Sequence, residues 1–257
     1  MTAPTILVRR GPGSWWRAFG SMIRFDLVRH RLSINAIVFS QLLMGLGAAA
    51  MYGFYLGDVD PVTATFIVNG VAALALIPVG LLMIPVVVMQ DRIAGTEEFT
   101  WTLPVPRLVA AASLLTIFTA IGAPIALLST WVAALRFDVT LSVTWGFPLA
   151  AVLVAVMATS IGYGIANAIP EPRLISLMVN VIIFVVLLFS PIVIPIELFP
   201  DWLASVHRVL PFFHMANVLR ATLTEGLVTN VAQSWLVLSA WSVAGWAMAS
   251  WVVGRRG

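Results

Sequence analysis

The stretch VTATFIVNGVAALALIPVGLLMIPVVVM, from Val62 to Met89, contains no charged residue. A helix needs roughly 20 apolar residues to cross a hydrocarbon core of about 30 Å. This run exceeds that length, and water offers nothing to bury it against. Further uncharged runs flank it at 34–56, 108–135, 145–169, 174–196 and 231–253. Backbone in lipid must satisfy its own hydrogen bonds, so each run reads as a helix. The expected fold is an all-α polytopic membrane protein with six transmembrane helices. Residues 1–33 would form an N-terminal segment with an amphipathic helix, and 34–257 the membrane domain.

Composition agrees. Of 257 residues, 61% are hydrophobic and 10% charged, where a soluble domain carries roughly 25% charged residues. The 14 basic residues are all arginine. A phosphate-binding P-loop needs a lysine, so this chain holds none, and ATP-driven work would come from another polypeptide. The absence of cysteine excludes disulfides and thiolate metal sites. With the N-terminus inside, only Arg136, Arg208 and Arg220 fall in segments on the outer side. That bias predicts cytoplasmic N- and C-termini. The partner of the remaining arginines is expected to be a lipid surface and not a nucleic acid. The first apolar run is long enough to span, and reads as a retained anchor and not a cleaved signal peptide.

Three segments outside the runs carry information. Between Ser14 and Arg31, Trp15, Trp16, Phe19, Met22, Ile23 and Leu27 share one side at helical spacing, with Arg17, Ser21, Arg24 and Arg31 opposite. Phe25, Asp26 and Arg29 interrupt the pattern. This predicts a helix lying on the inner leaflet. From Gln90 to Arg107, Thr96 could cap a short helix with Glu97 and Glu98 in its first turn. Pro104 and Pro106 would stop it, leaving Phe99 and Trp101 exposed. From Ser190 to Arg220, prolines at 191, 195, 200 and 211 break any continuous helix in a stretch still rich in apolar residues. Short re-entrant helices packed as a lid on the outer face are expected.

The run Gln90-Asp91-Arg92, Gly95-Thr96-Glu97 and Leu103-Pro104-Val105 resembles the cytoplasmic loop of ABC-2 type transporter permeases. The run Ser190-Pro191, Pro195, Phe199-Pro200, Trp202-Leu203, Leu210-Pro211 and Leu219-Arg220 is similar to the signature after their fifth helix. The resemblance implies a half-transporter in a bacterial plasma membrane, of a kind that exports drugs or antibiotics. It would pair with a second permease chain, identical or not, and with a separate ATPase subunit. This chain would hold no cofactor; ATP and Mg would sit on the ATPase. Asp91, Arg92, Gly95, Thr96, Glu97 and Glu98 become the coupling segment. Pro191, Pro195, Pro200, Trp202, Pro211 and Arg220 become the outer signature.

The spans offer Asn69 and Asn180 as polar groups facing a substrate path, with Phe66, Phe184 and Leu188 as greasy lining. Packing is the alternative for each, and for the apolar three it is the commoner role; Gln41 shares the ambiguity. Ion-coupled pumps need intramembrane charge; its absence here favours an amphipathic or apolar substrate. Pro78, Pro85 and Pro124 would permit kinks. Thr159 to Gly164 would allow close helix approach. An intramembrane serine protease needs a histidine base in a span, and His30, His207 and His214 all lie outside the runs. A passive channel or carrier, and a non-transporting anchor of an ATPase, are the remaining alternatives.

Overall fold

Each of the six apolar runs falls on a helix in the computed structural model, which describes residues 12–55, 60–96, 99, 102 and 107–255. The helices are α1 (Pro12–Arg29), α2 (Arg31–Tyr55), α3 (Pro61–Pro78), α4 (Ile84–Ile93), α5 (Arg107–Phe137), α6 (Phe147–Ala168) and α7 (Pro172–Phe189). There follow α8 (Asp201–His207), α9 (Pro211–Leu223) and α10 (Val231–Arg255). A π-helical turn, Val79–Met83, joins α3 to α4 without a break. Four of these are long and apolar enough to cross a membrane: α2, the continuous Pro61–Ile93 rod, Val109–Phe137 of α5, and α6. The last two apolar runs lie on α7 and α10.

The Pro61–Ile93 rod is the axis of the bundle. Its most apolar window is 83% buried, against 22% for α2. Asp60 starts it by accepting from the amides of Val62 and Thr63 at 3.1 and 3.0 Å, with Pro61 in the first turn where no amide is needed. The rod passes very close to α6 at Gly80 and Gly162. A Cβ on Gly162 would lie 2.2 Å from the Gly80 carbonyl oxygen, so only glycine permits this approach. α10 packs chiefly on α6, and α5 packs on both α2 and α3.

Two expectations are corrected. The fifth run was expected to continue to Ile196, but α7 stops at Phe189 and Ser190 takes extended backbone. Pro191 has no amide to donate, which ends the helix there. Residues 190–223 then form the expected short helices, called the lid below: a 3-10 turn (Ile196–Leu198), α8 and α9. α9 is almost wholly buried against α3, α6 and α10.

The second correction concerns α1. Its inward face is built on Met22 and Asp26, and His30 continues that face just past the helix; all three are buried, while Trp16 and Leu27 are exposed. Asp26 does not interrupt the buried stripe; it belongs to it, because the Ser113 hydroxyl of α5 donates to its carboxylate. Trp15, Trp16 and Phe19 group at the start of α1, with centroids 4.8 to 6.1 Å apart; Trp15 stacks on Phe19, and Trp16 meets both edge to face. That exposed cluster keeps the aromatic character expected of a headgroup contact.

Candidate functional site

Gln90, Asp91 and Arg92 close the long central rod, and each reaches a different neighbour. Ser33 of α2 donates to Gln90 Oε1 at 3.2 Å. Arg29 of α1 pairs with Asp91, Nη2 to Oδ1, at 2.5 Å and also donates to the Thr96 hydroxyl. Thr96 in turn donates back to the Asp91 carbonyl at 3.2 Å. Arg92 points the other way. Its Nη1 donates to the carbonyls of Ala166 and Ile169 at 2.7 and 2.9 Å, and its Nη2 to Asn167 Oδ1 at 3.2 Å. Those carbonyls end α6 and lack helical donors, and a cation there also complements the helix dipole. Just past these two anchors the chain turns at Gly95, whose φ of +69° is left-handed and suits glycine.

Three residues therefore tie the end of the rod to the α1–α2 corner on one side and the α6–α7 corner on the other. Both ties are charge-assisted bonds, the strong class of hydrogen bond. Of the residues the resemblance assigns to coupling, Asp91, Arg92 and Thr96 find partners inside the chain. Glu97 and Glu98, with Trp101, Pro104 and Pro106, lie outside the described residues. Phe99 is described and is exposed.

Sequence reasoning missed Asp26 and His30. The signal was available: Met22, Asp26 and His30 repeat every four residues. Burial drives both side chains toward their neutral forms. It raises the Asp26 carboxyl to about 6, with Asp91 adding to the rise and Ser113 and Arg29 opposing it. It lowers the His30 imidazole to about 4, assisted by the charge of Arg29. His30 Nε2 lies 3.8 Å from Asp91 Oδ2, but a neutral ring makes no ion pair at neutral pH.

The two groups oppose each other in acid. A raised carboxyl stabilises the docked helix below its ordinary range, and that contribution is lost as pH rises through about 6. A lowered imidazole contributes fully above its ordinary value, and is lost as pH falls through about 4. The charged or polar groups facing the pair are Arg29, Asp91, Thr96 and Ser113. In Asp26→Asn, hydrogen-exchange protection of α1, corrected for intrinsic rates, should therefore fall on acidification. In His30→Asn it should fall as pH rises across the same window, and the unsubstituted protein should be flatter than either. One common slope for all three would refute this.

The remaining sequence candidates are placed as follows. Asn69 is fully buried; its Nδ2 donates to the Thr65 carbonyl at 2.7 Å and to Thr224 Oγ1 at 3.0 Å. Phe66 lies under the Arg220 guanidinium, 3.7 Å from its centroid. Both therefore contact the lid. Asn180, Phe184 and Leu188 share the outward face of α7, exposed within this single chain. In the outer signature, Pro191 and Pro211 are buried, Pro195 is half-buried, and Pro200 and Trp202 are exposed.

Arg220 is the lid's largest fully buried side chain. Its Nη2 donates to the Ile192 carbonyl, and its Nη1 donates to Asn217 Oδ1 at 3.1 Å. Glu197 is the carboxylate whose charge acts on it.

Comparison with curated proteins finds no matching relative. The family model described as ABC-2 type transporter matches residues 17–224. The match begins within α1, includes the Gln90–Arg92 anchor and ends just past the lid helix α9. With four-fifths of its length covered by that match and an all-helical bundle to carry it, the chain belongs to the ABC-2 type transporter family.

Proposed function

We propose that this chain is the permease half of an exporter that moves an amphipathic or apolar compound across a bacterial plasma membrane, driven by a separate ATPase subunit. Family membership makes it a membrane component of an ABC transporter. The observation that carries the rest is the double anchor at Asp91 and Arg92. It links the end of the central rod to both flanking corners, as a part receiving force from outside the membrane must be linked.

The anchored end carries most of the arginines and faces the cytoplasm in this reading. The ATPase, holding ATP and Mg, docks on the segment that follows Gly95. Its motion is delivered to α1 through Arg29 and to the α6–α7 corner through Arg92. A second permease chain, identical or related, covers the exposed faces of α2 and α7. Phe39, Leu43, Phe184 and Leu188 are all more than half exposed in this chain. The path runs between the two chains, and the lid closes its outer end.

Replacement of both Glu97 and Glu98 by alanine tests the coupling. Efflux from cells carrying the ATPase should fall at least about tenfold, a loss of roughly 1.4 kcal/mol in coupling. Thermal stability of the purified permease should not change. Unaltered efflux would remove the coupling role. Efflux that persists with a catalytically dead ATPase would instead favour a passive channel.

A further inference from the structure

The outward face of α7 carries a polar group where lipid offers it no partner. α7 packs on α4 and the π-helical turn, and the side chains it buries are Ile175, Val179, Ile183 and Val186. Its other side is exposed. Among the described residues from Leu174 to Phe189, the one exposed polar side chain is Asn180. It lies at the middle of this 18-residue helix. Leu177, Phe184 and Leu188 continue the same stripe at helical spacing, each more than half exposed. Asn69 and Asn167, by contrast, are buried and find partners elsewhere in the chain.

The bonding of the Asn180 amide is half complete. Its Nδ2 donates to the Ser176 carbonyl one turn back, at 2.8 Å, and that contact fixes which end of the amide is oxygen. One N–H and the Oδ1 acceptor remain on an exposed side chain. Hydrocarbon satisfies neither, and a polar group left in it without a partner is costly. Because the side chain is at the surface, a second molecule reaches it without any rearrangement of the bundle.

We infer that α7 pairs with α7 of a second, identical copy of this chain, and that the two Asn180 side chains exchange hydrogen bonds across a twofold axis. Each amide has one N–H to give and one oxygen to receive, and its own copy answers both. A twofold axis brings a residue against itself only where that residue lies on the axis, so the pair also fixes the height at which the helices meet. A lone polar residue in an apolar helix seam sets register in the same way. An apolar cargo offers no such matched donor and acceptor at a fixed height. This deepens the reading that a second permease chain covers this face; it rests on that reading and makes the second chain the same one. Hydrogen bonds between helices are modest in lipid, which suits an interface that opens to pass cargo.

The absence of native cysteine leaves no background for cross-linking. With the full chain expressed alone in membranes, Asn180→Cys should give a disulfide-linked dimer on oxidation. Met178→Cys should not: Met178 is also exposed, but it stands about 160° away round the helix. In liposomes, dimer affinity is read by energy transfer between labelled copies. It should fall about threefold to thirtyfold in Asn180→Leu, the range that interhelical hydrogen bonds span. Asn180→Gln, which keeps the amide, should recover part of the loss. Equal cross-linking at the two positions, or a dimer affinity that ignores Asn180→Leu, would overturn the pair and leave the second-chain reading standing. A chain that stays monomeric until a different permease chain is supplied would overturn the identity of the partner. Dimers that pass both tests but show no ATP-driven efflux beside the ATPase would support the pair and defeat the exporter reading.

Discussion

Alanine at Arg220 is expected to release the lid and cost on the order of 3 kcal/mol of stability. Three losses add. The Ile192 carbonyl and Asn217 Oδ1 lose their donor. The Phe66 ring loses the cation above it. A fully buried side chain leaves a cavity between α9 and α3. Lysine at the same position should recover only part of the loss. It keeps the charge but has no planar fork to reach two acceptors while lying flat on a ring. Thermal unfolding of the purified protein measures this directly. A melting temperature unchanged in both variants would show that the guanidinium does not hold the lid.

The second large effect is expected at Gly162. A Cβ there would stand 2.2 Å from the Gly80 carbonyl oxygen and 3.0 Å from Pro85 Cδ. Gly80 is equally confined, with its Cβ position 2.5 Å from the backbone of Ala158 and Thr159. Backbone cannot yield as a flexible side chain can, so α6 must move away from the central rod. Gly162→Ala should cost about 3 kcal/mol, the upper part of the overpacking range. Gly164→Ala is the internal control. Nothing lies within 4 Å of its Cβ position, and helix propensity alone favours alanine there by up to about 1 kcal/mol. The two variants should therefore shift stability in opposite directions although only one residue separates them. Equal shifts would mean that α6 and the rod do not meet at this crossing.

The helices were legible because their cause is local. Long uncharged runs need no tertiary information to become helices in lipid, and the run at 62–89 lies within the central rod, which continues to Ile93. The lid was legible for a similar reason, since the closely spaced prolines at 191, 195 and 200 break the helix there, whereas the isolated Pro78 and Pro124 are carried inside helices. What was not legible was direction. Asp26 looked like a defect in an amphipathic face, because nothing local announces that Ser113, far along the chain, supplies its hydrogen bond. Asp91 and Arg92 read as surface for a partner, because periodicity cannot show that Arg29 and the end of α6 already occupy them. Asn69 and Phe66 read as path lining for the same reason. Their partners, Thr224 and Arg220, arrive from a lid folded back over α3.

The account depends most on the two ends of the bundle facing opposite sides of a membrane. The chain has no cysteine, so single cysteines can report sidedness without background. Ala94→Cys lies beside the Asp91–Arg92 anchor, and Ser205→Cys lies on the lid helix α8; both positions are exposed. In intact cells, a membrane-impermeant maleimide should label the protein carrying Ser205→Cys. It should label Ala94→Cys only after the membrane is opened. Labelling of both from the same side of a sealed membrane would contradict the account.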